Sequence, residues 1–213
     1  MEEIILLRQP TRPKPLQDAV KRIVDICGAG FLLAALSPIM AAIALFIRLD
    51  SPGTILFRQQ RPGRDMSPFT MLKFRTMREG SDKIPAEVLR EAGFGPLQKR
   101  NVDPRITRSG RILRRYSLDE LPQLMNVVRG DMSLVGPRPL LGWEIEGLKE
   151  QMELRASVRP GLTGLWQVSG RSNLSFEEML RLDLEYAEKR SFLMDARILL
   201  KTIPAVLTGD GAY

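Results

Sequence analysis

The sequence predicts an α+β, predominantly helical protein in which an N-terminal membrane helix is joined to a small domain carrying a short β-hairpin. Three observations point there. No residue from Ile26 to Ile47 is charged, two short alternating stretches follow between turn signals, and helical periodicity governs most of the chain beyond residue 107.

The uncharged run is bracketed by Lys21, Arg22 and Asp25 on one side and by Arg48 and Asp50 on the other. It is long enough to enter a bilayer, and longer than the core helix of a soluble protein ordinarily requires. A cleaved signal peptide fits poorly, because the run is too long for a signal core and lacks a convincing small-residue cleavage site. Ser37-Pro38 stands in its middle, where proline removes one helical hydrogen bond and crowds the preceding turn. Both flanks are basic, with Arg8, Arg12, Lys14, Lys21 and Arg22 before the run and Arg48, Arg58, Arg61 and Arg64 after it. The positive-inside tendency therefore does not separate the ends. The simplest resolution is a re-entrant helix hairpin over 21–49 that breaks at Ser37 and Pro38 and returns to the same face. Residues 1–20, with Pro10, Pro13 and Pro15, read as a surface arm, and 50–213 as the soluble domain.

In that domain, Ser51-Pro52-Gly53 leads into a strand at Thr54 to Arg58. Arg61-Pro62-Gly63-Arg64 reads as a turn, and Phe69 to Arg75 as the returning strand. Residues 80–97 hold several glycines and prolines around a short helical patch at 86–92. Helices are expected at about 107–115, 119–129, 141–155, 175–189 and 193–207.

Composition limits the chemistry. The 213-residue chain carries 32 Lys+Arg against 25 Asp+Glu, a formal charge of +7 that suits an acidic partner. It contains no His, and its only Cys is Cys27. Histidine-dependent nucleophiles, phosphohistidine and zinc sites of His or Cys are thereby excluded, as is an intrachain disulfide. Carboxylates, Lys, Arg, hydroxyls, backbone amides and a hard cation such as Mg²⁺ remain.

The cations concentrate at Lys99, Arg100, Arg105, Arg108, Arg111, Arg114 and Arg115, around the acid Asp103. Arg108, Arg111 and Arg115 share one helical face, which is either a solvated surface or a phosphate-facing one. Ser117-Leu118-Asp119-Glu120-Leu121-Pro122-Gln123 follows. A capping box from Ser117 to Glu120 is the plain reading, but Pro122 would then interrupt the first turns. Asp119 and Glu120 are therefore expected between two helices. In a chain without His, a carboxylate can attack phosphorus to give an acyl phosphate when cations neutralise the phosphate oxygens. Asp119 is the expected nucleophile, and Glu120 the acid that helps hold a metal. In Gly136-Pro137-Arg138-Pro139, two prolines restrict the backbone around Arg138, either for an anion or as an ordinary rigid loop. Arg159-Pro160-Gly161 to Gly170-Arg171, around Trp166, reads equally as a base or sugar pocket and as a structural turn.

Together with Lys21-Arg22-x-x-Asp25, Ser37-Pro38 and Leu72-Lys73-Phe74-Arg75-Thr76-Met77, these motifs resemble in order and spacing the bacterial sugar transferase family. Its members are monotopic phosphoglycosyl transferases acting on polyprenyl phosphate, and the likeness runs from about Lys21 to Leu207. The resemblance implies a cytoplasmic catalytic domain on the bacterial inner membrane. It also implies transfer of a sugar 1-phosphate from a UDP-sugar to undecaprenyl phosphate, with Mg²⁺ and release of UMP, through a covalent aspartyl intermediate. It assigns catalysis and metal binding to Asp119 and Glu120, and substrate contacts to Lys73, Arg75, Arg114, Arg138 and Asp183, the last from Leu182-Asp183-x-x-Tyr186. The short form lacks the multispanning region of some relatives and resembles initiators of exopolysaccharide synthesis, for which downstream glycosyltransferases are further partners. The competing reading is a membrane-anchored basic protein that binds nucleic acid or anionic lipid without catalysis. Low aromatic content, 6%, and the lack of a nucleic-acid-binding motif speak against nucleic acid.

Overall fold

The computed structural model describes residues 15–81, 103, 105–140, 149–209 and 211. Its elements are α1 (Pro15–Asp50), β1 (Leu56–Pro62), β2 (Pro68–Phe74), α2 (Arg108–Arg115), α3 (Gln123–Arg129), β3 (Ser133–Val135), α4 (Lys149–Ala156), β4 (Gly161–Thr163), α5 (Phe176–Lys189) and α6 (Phe192–Thr208). The mainly helical α+β expectation holds. The expected patch at 86–92, Lys99, Arg100 and the start of the helix at 141–155 lie outside the described residues.

Helix α1 begins at Pro15 rather than Lys21, so the last residues of the expected arm are helical. Proline suits a first turn, where its missing N–H would have no intrahelical partner. Residues 1–14 of that arm lie outside the described residues. The expected break at Ser37 and Pro38 is not a break in the helix, which is continuous there: the Ser37 hydroxyl donates at 2.8 Å to the Ala34 carbonyl, the acceptor that Pro38 leaves without its amide partner. Buried Asp25, Ala29, Ile43 and Ile47, with half-buried Leu32, Leu33 and Met40, form one stripe at helical spacing against the rest of the molecule. Ile23, Val24, Ile26, Phe31, Ile39, Leu45, Phe46 and Leu49 are exposed.

Both ends of this helix are tied to the same domain. Near the start, Asp25 accepts the Leu134 amide at 3.0 Å, Lys21 donates to Asp195 at 2.8 Å, and Arg22 donates to the last carbonyls of α3. At the far end Asp50 accepts both the amide and the hydroxyl of Ser109.

Strands β1 and β2 form the expected antiparallel hairpin, with Phe57 opposite Lys73. Arg61 and Pro62 belong to β1 rather than to the turn, and the reversal occurs at Gly63–Ser67, where Asp65 and Met66 have positive φ. The buried Asn126 of α3 joins this hairpin to the helices: its Oδ1 accepts the Leu72 amide at 3.0 Å, and its Nδ2 donates to Thr70 O at 2.7 Å.

The parallel β3–β4 pair was not expected, since three-residue strands carry no readable periodicity. Glycines make it possible. Gly136 N donates to Thr163 O and Gly161 N to Pro137 O, each at 2.9 Å. A Cβ on Gly161 would stand 2.1 Å from Gly136 N, so a side chain there would collide with backbone. The larger core gathers Leu124, Val127, Met132, Leu134, Tyr186 and Ile198 under α1; a smaller one holds Ile43, Ile47, Phe74 and Leu113.

Candidate active site

The chain reaches Asp119 and Glu120 through a sharp break. Thr107 caps α2 by accepting the Gly110 amide at 3.0 Å, and the helix ends at Tyr116. Ser117 then adopts φ 54°, in the left-handed region, and Leu118–Glu120 form one 3₁₀ turn. Helix α3 starts only after Pro122, which accepts helical angles without needing an amide partner. The acidic pair therefore lies between two helices, as Pro122 predicted. Ser117 makes no capping bond; its hydroxyl instead accepts Arg171 Nη2 at 2.6 Å, so the capping-box reading does not hold.

The two acids have unlike surroundings. Glu120 Oε1 receives Lys73 Nζ at 3.1 Å and pairs with Arg138 Nη1 at 2.8 Å. Burial pushes the Glu120 carboxyl up, but the charges and hydrogen bonds of Arg138 and Lys73 outweigh it and hold the group down at about 2. Asp119 is 8% exposed. Burial and then the neighbouring Glu120 charge raise it to about 6, against the pull of Lys73, Arg114 and Arg138. Lys73 itself is lowered by burial despite Glu120. One acid is thus locked as an ion-paired carboxylate, while the other sits near three cations with a pKa much closer to neutrality.

Distant parts of the chain supply those cations. Lys73 comes from β2, steadied by Asn126, and Arg114 from the last turn of α2. Arg138 follows β3 between two buried prolines, and Arg61 of β1 donates to Pro139 O at 3.0 Å. Just before Arg138, Gly136 N donates to Thr163 O and the Pro137 carbonyl accepts Gly161 N. The stretch around Gly161 and Gly164 therefore serves backbone packing beside the site.

The remaining expected residues are distributed differently. Arg75 is buried and donates to the Ser51 and Pro52 carbonyls, so its guanidinium braces the turn after α1. Arg108, Arg111 and Arg115 are exposed, which agrees with the solvated alternative for that face. Asp183 is buried and pairs with Arg155, a residue that sequence reasoning missed, at 2.7 Å. Burial pushes the Asp183 carboxyl up to about 6 in spite of Arg155. Arg155 gave no signal in the sequence, because a lone arginine in a mostly polar helical stretch reads as surface.

No cluster of three or more acidic, Cys or His side chains occurs among the described residues. Asp119 and Glu120 alone still suit a hard divalent ion, since Mg²⁺ is commonly held by one or two carboxylates together with substrate phosphates and water.

The family model for bacterial sugar transferases matches residues 16–209. The exopolysaccharide production protein ExoY of Sinorhizobium fredii is 39% identical over 205 residues, covering 94% of this chain and 91% of that protein. A UDP-glucose:undecaprenyl-phosphate glucose-1-phosphate transferase of Caulobacter vibrioides is 43% identical, over 94% of this chain and 74% of its own length. The undecaprenyl-phosphate galactose phosphotransferase of Salmonella typhimurium is 38% identical over 99% of this chain, which spans 45% of that longer protein.

Proposed function

Because the chain belongs to the bacterial sugar transferase family and is a phosphoglycosyl transferase, we propose that it transfers a sugar 1-phosphate from a UDP-sugar to undecaprenyl phosphate through an aspartyl intermediate. The observation that carries this reading is the unequal acidic pair: Glu120 is held by Lys73 and Arg138, and Asp119 is buried beside the same cations.

In the first step an Asp119 carboxylate oxygen attacks the β-phosphorus of the donor. A new P–O bond forms to Asp119, the bond from that phosphorus to the bridging oxygen breaks, and UMP leaves with the electron pair. In the second step an oxygen of undecaprenyl phosphate attacks the same phosphorus. The acyl phosphate P–O bond breaks, Asp119 returns as carboxylate, and the product is a lipid diphosphate sugar. Lys73, Arg114 and Arg138 offset the charge gathered on the phosphoryl oxygens, which is the main task in such transfers. Mg²⁺ held by Asp119 and Glu120 would supply further charge neutralisation on the diphosphate. The product suits glycosyltransferases that extend a lipid-linked sugar, in exopolysaccharide or related glycoconjugate synthesis.

The reading also places the protein on the cytoplasmic face of the inner membrane, with α1 entering the bilayer and returning about Ser37-Pro38. Support comes from the apolar outer face of α1 and from both its flanks being bonded to one domain. Exposed Leu193, Leu200, Ile203 and Leu207 on α6 add a second apolar surface.

The test is UMP release by detergent-purified protein from a panel of UDP-sugars, with Mg²⁺ and with or without undecaprenyl phosphate. Lipid-dependent UMP release with one donor is expected. Release of UDP, or no release from folded protein, would overturn the reaction.

A further inference from the structure

We propose that Arg155 and Asp183 form a buried clamp that positions Arg138, making both positioning residues for the transfer although neither faces the reacting phosphorus. The role in transfer rests on the reaction proposed above. Arg155 lies on α4 and Asp183 on α5, with side chains only 6% and 3% exposed. Arg155 donates to Asp183 Oδ2 from Nε at 2.9 Å and from Nη2 at 2.7 Å. The same Nη2 also donates to the backbone carbonyl of Arg138. A carboxylate thus aims a guanidinium, and the guanidinium grips the peptide of the arginine whose own side chain reaches Glu120 at 2.8 Å.

Neighbouring residues of this segment are restrained as well. Gly161 N holds the Pro137 carbonyl, and Arg61 holds that of Pro139. Pro137 and Pro139 restrict rotation on either side. The carbonyl of Arg138 itself is held by Arg155, whose planar fork reaches two acceptors at once, as an ammonium of similar length does not. A buried ion pair is weak evidence for stability, because apolar residues of similar volume often serve as well. Its geometric consequence here is definite: Arg138 is fixed in the orientation that completes the Glu120 pair.

The experiment uses the full chain in detergent, with wild type, Arg155→Lys, Asp183→Asn, Arg138→Ala and the double variant Arg155→Lys/Arg138→Ala. Arginine side-chain Nε–H NMR reports on Arg138 directly, its resonance being the one lost in Arg138→Ala. Steady-state UMP release gives kcat and KM separately, and thermal unfolding confirms that each variant is folded. The clamp requires the Arg138 resonance to move or broaden in both Arg155→Lys and Asp183→Asn. It also requires kcat to fall in each by up to about 100-fold, the scale expected for a small misplacement. In the Arg138→Ala background, Arg155→Lys should add less than about twofold, because residues acting through one another are non-additive. An unmoved Arg138 resonance in folded variants overturns the clamp, as does a full multiplicative effect in the double variant. Should the wild type release no UMP, the reaction reading fails, and the Nε–H resonance still decides the positioning.

Discussion

Lys73 on β2 lies 3.1 Å from Glu120 in the turn before α3, so the hairpin delivers a cation to an acid 47 positions away. Lys73→Met removes one positive neighbour from both acids. Glu120 loses part of what holds it down, and Asp119 loses an opposing charge, so both rise. Turnover that needs ionised Asp119 then begins at higher pH. The acid limb of kcat/KM, expected near pH 6 in the wild type from the Asp119 shift, should move upward. The plateau should fall by about 10²–10³-fold, the usual cost of removing one electrostatic donor. An acid limb unchanged in pH would show that Asp119 is not the group being titrated.

Asp119→Asn should abolish turnover yet stabilise the folded protein at neutral pH. The folded pKa of Asp119 is raised to about 6. Folding therefore favours the protonated acid, and stability is lost as pH rises from the ordinary carboxylate range through about 6. A neutral amide escapes that loss. The gain at pH 7.5 is on the order of 1–3 kcal/mol, or several degrees in Tm for a chain of this size. At pH 4 the difference should shrink. Thermal unfolding at both pH values checks it, and a lower Tm at pH 7.5 would contradict the burial argument.

How much of this was legible in the sequence depended on the range of each signal. Pro122 disclosed the break at Asp119 and Glu120, because a proline's effect on its own helix is local. The hairpin and the helices at 108–115, 176–189 and 192–208 followed from periodicity and turn residues, with ends shifted by a few positions. Arg75 could not be distinguished from Lys73 two residues earlier, although alternate strand residues share a face. Only the tertiary fold shows that one guanidinium turns to Ser51 and Pro52 while the ammonium meets Glu120. The β3–β4 pair and Arg155 were hidden for a related reason: backbone approach at Gly136 and Gly161, and a pair 28 positions apart, leave no local pattern.

Gly161→Ala and Gly30→Ala should behave oppositely. A Cβ at Gly161 would lie 2.1 Å from Gly136 N, with rigid backbone as the obstacle. Separation of β3 from β4 should cost about 2–4 kcal/mol by overpacking and lost pairing, and should lower kcat by displacing Pro137-Arg138. Gly30 has nothing within 4 Å of the added atom. Alanine there should be neutral or stabilising by up to about 1 kcal/mol, as in other helix interiors. Thermal unfolding of both variants in one detergent decides the matter; equal losses would mean that the strand pair does not depend on glycine.

The topology of α1 can be tested through its flanks. Lys21 and Asp25 are bonded to Asp195 and to the Leu134 amide, while Asp50 holds Ser109. The hydrocarbon core of a bilayer is about 30 Å thick, so flanks gripping the same domain cannot lie on opposite faces. With Cys27 replaced by Ser, single-cysteine variants Leu16→Cys and Thr54→Cys place probes at exposed positions before and after the apolar run. A membrane-impermeant maleimide should label both in inside-out vesicles and neither in right-side-out vesicles. Labelling of one from each side would require a straight span and the loss of one set of flank bonds. Because Pro38 lies within a continuous helix, the expected return to the same face requires bending without helix termination, a distortion that proline favours by removing one hydrogen bond.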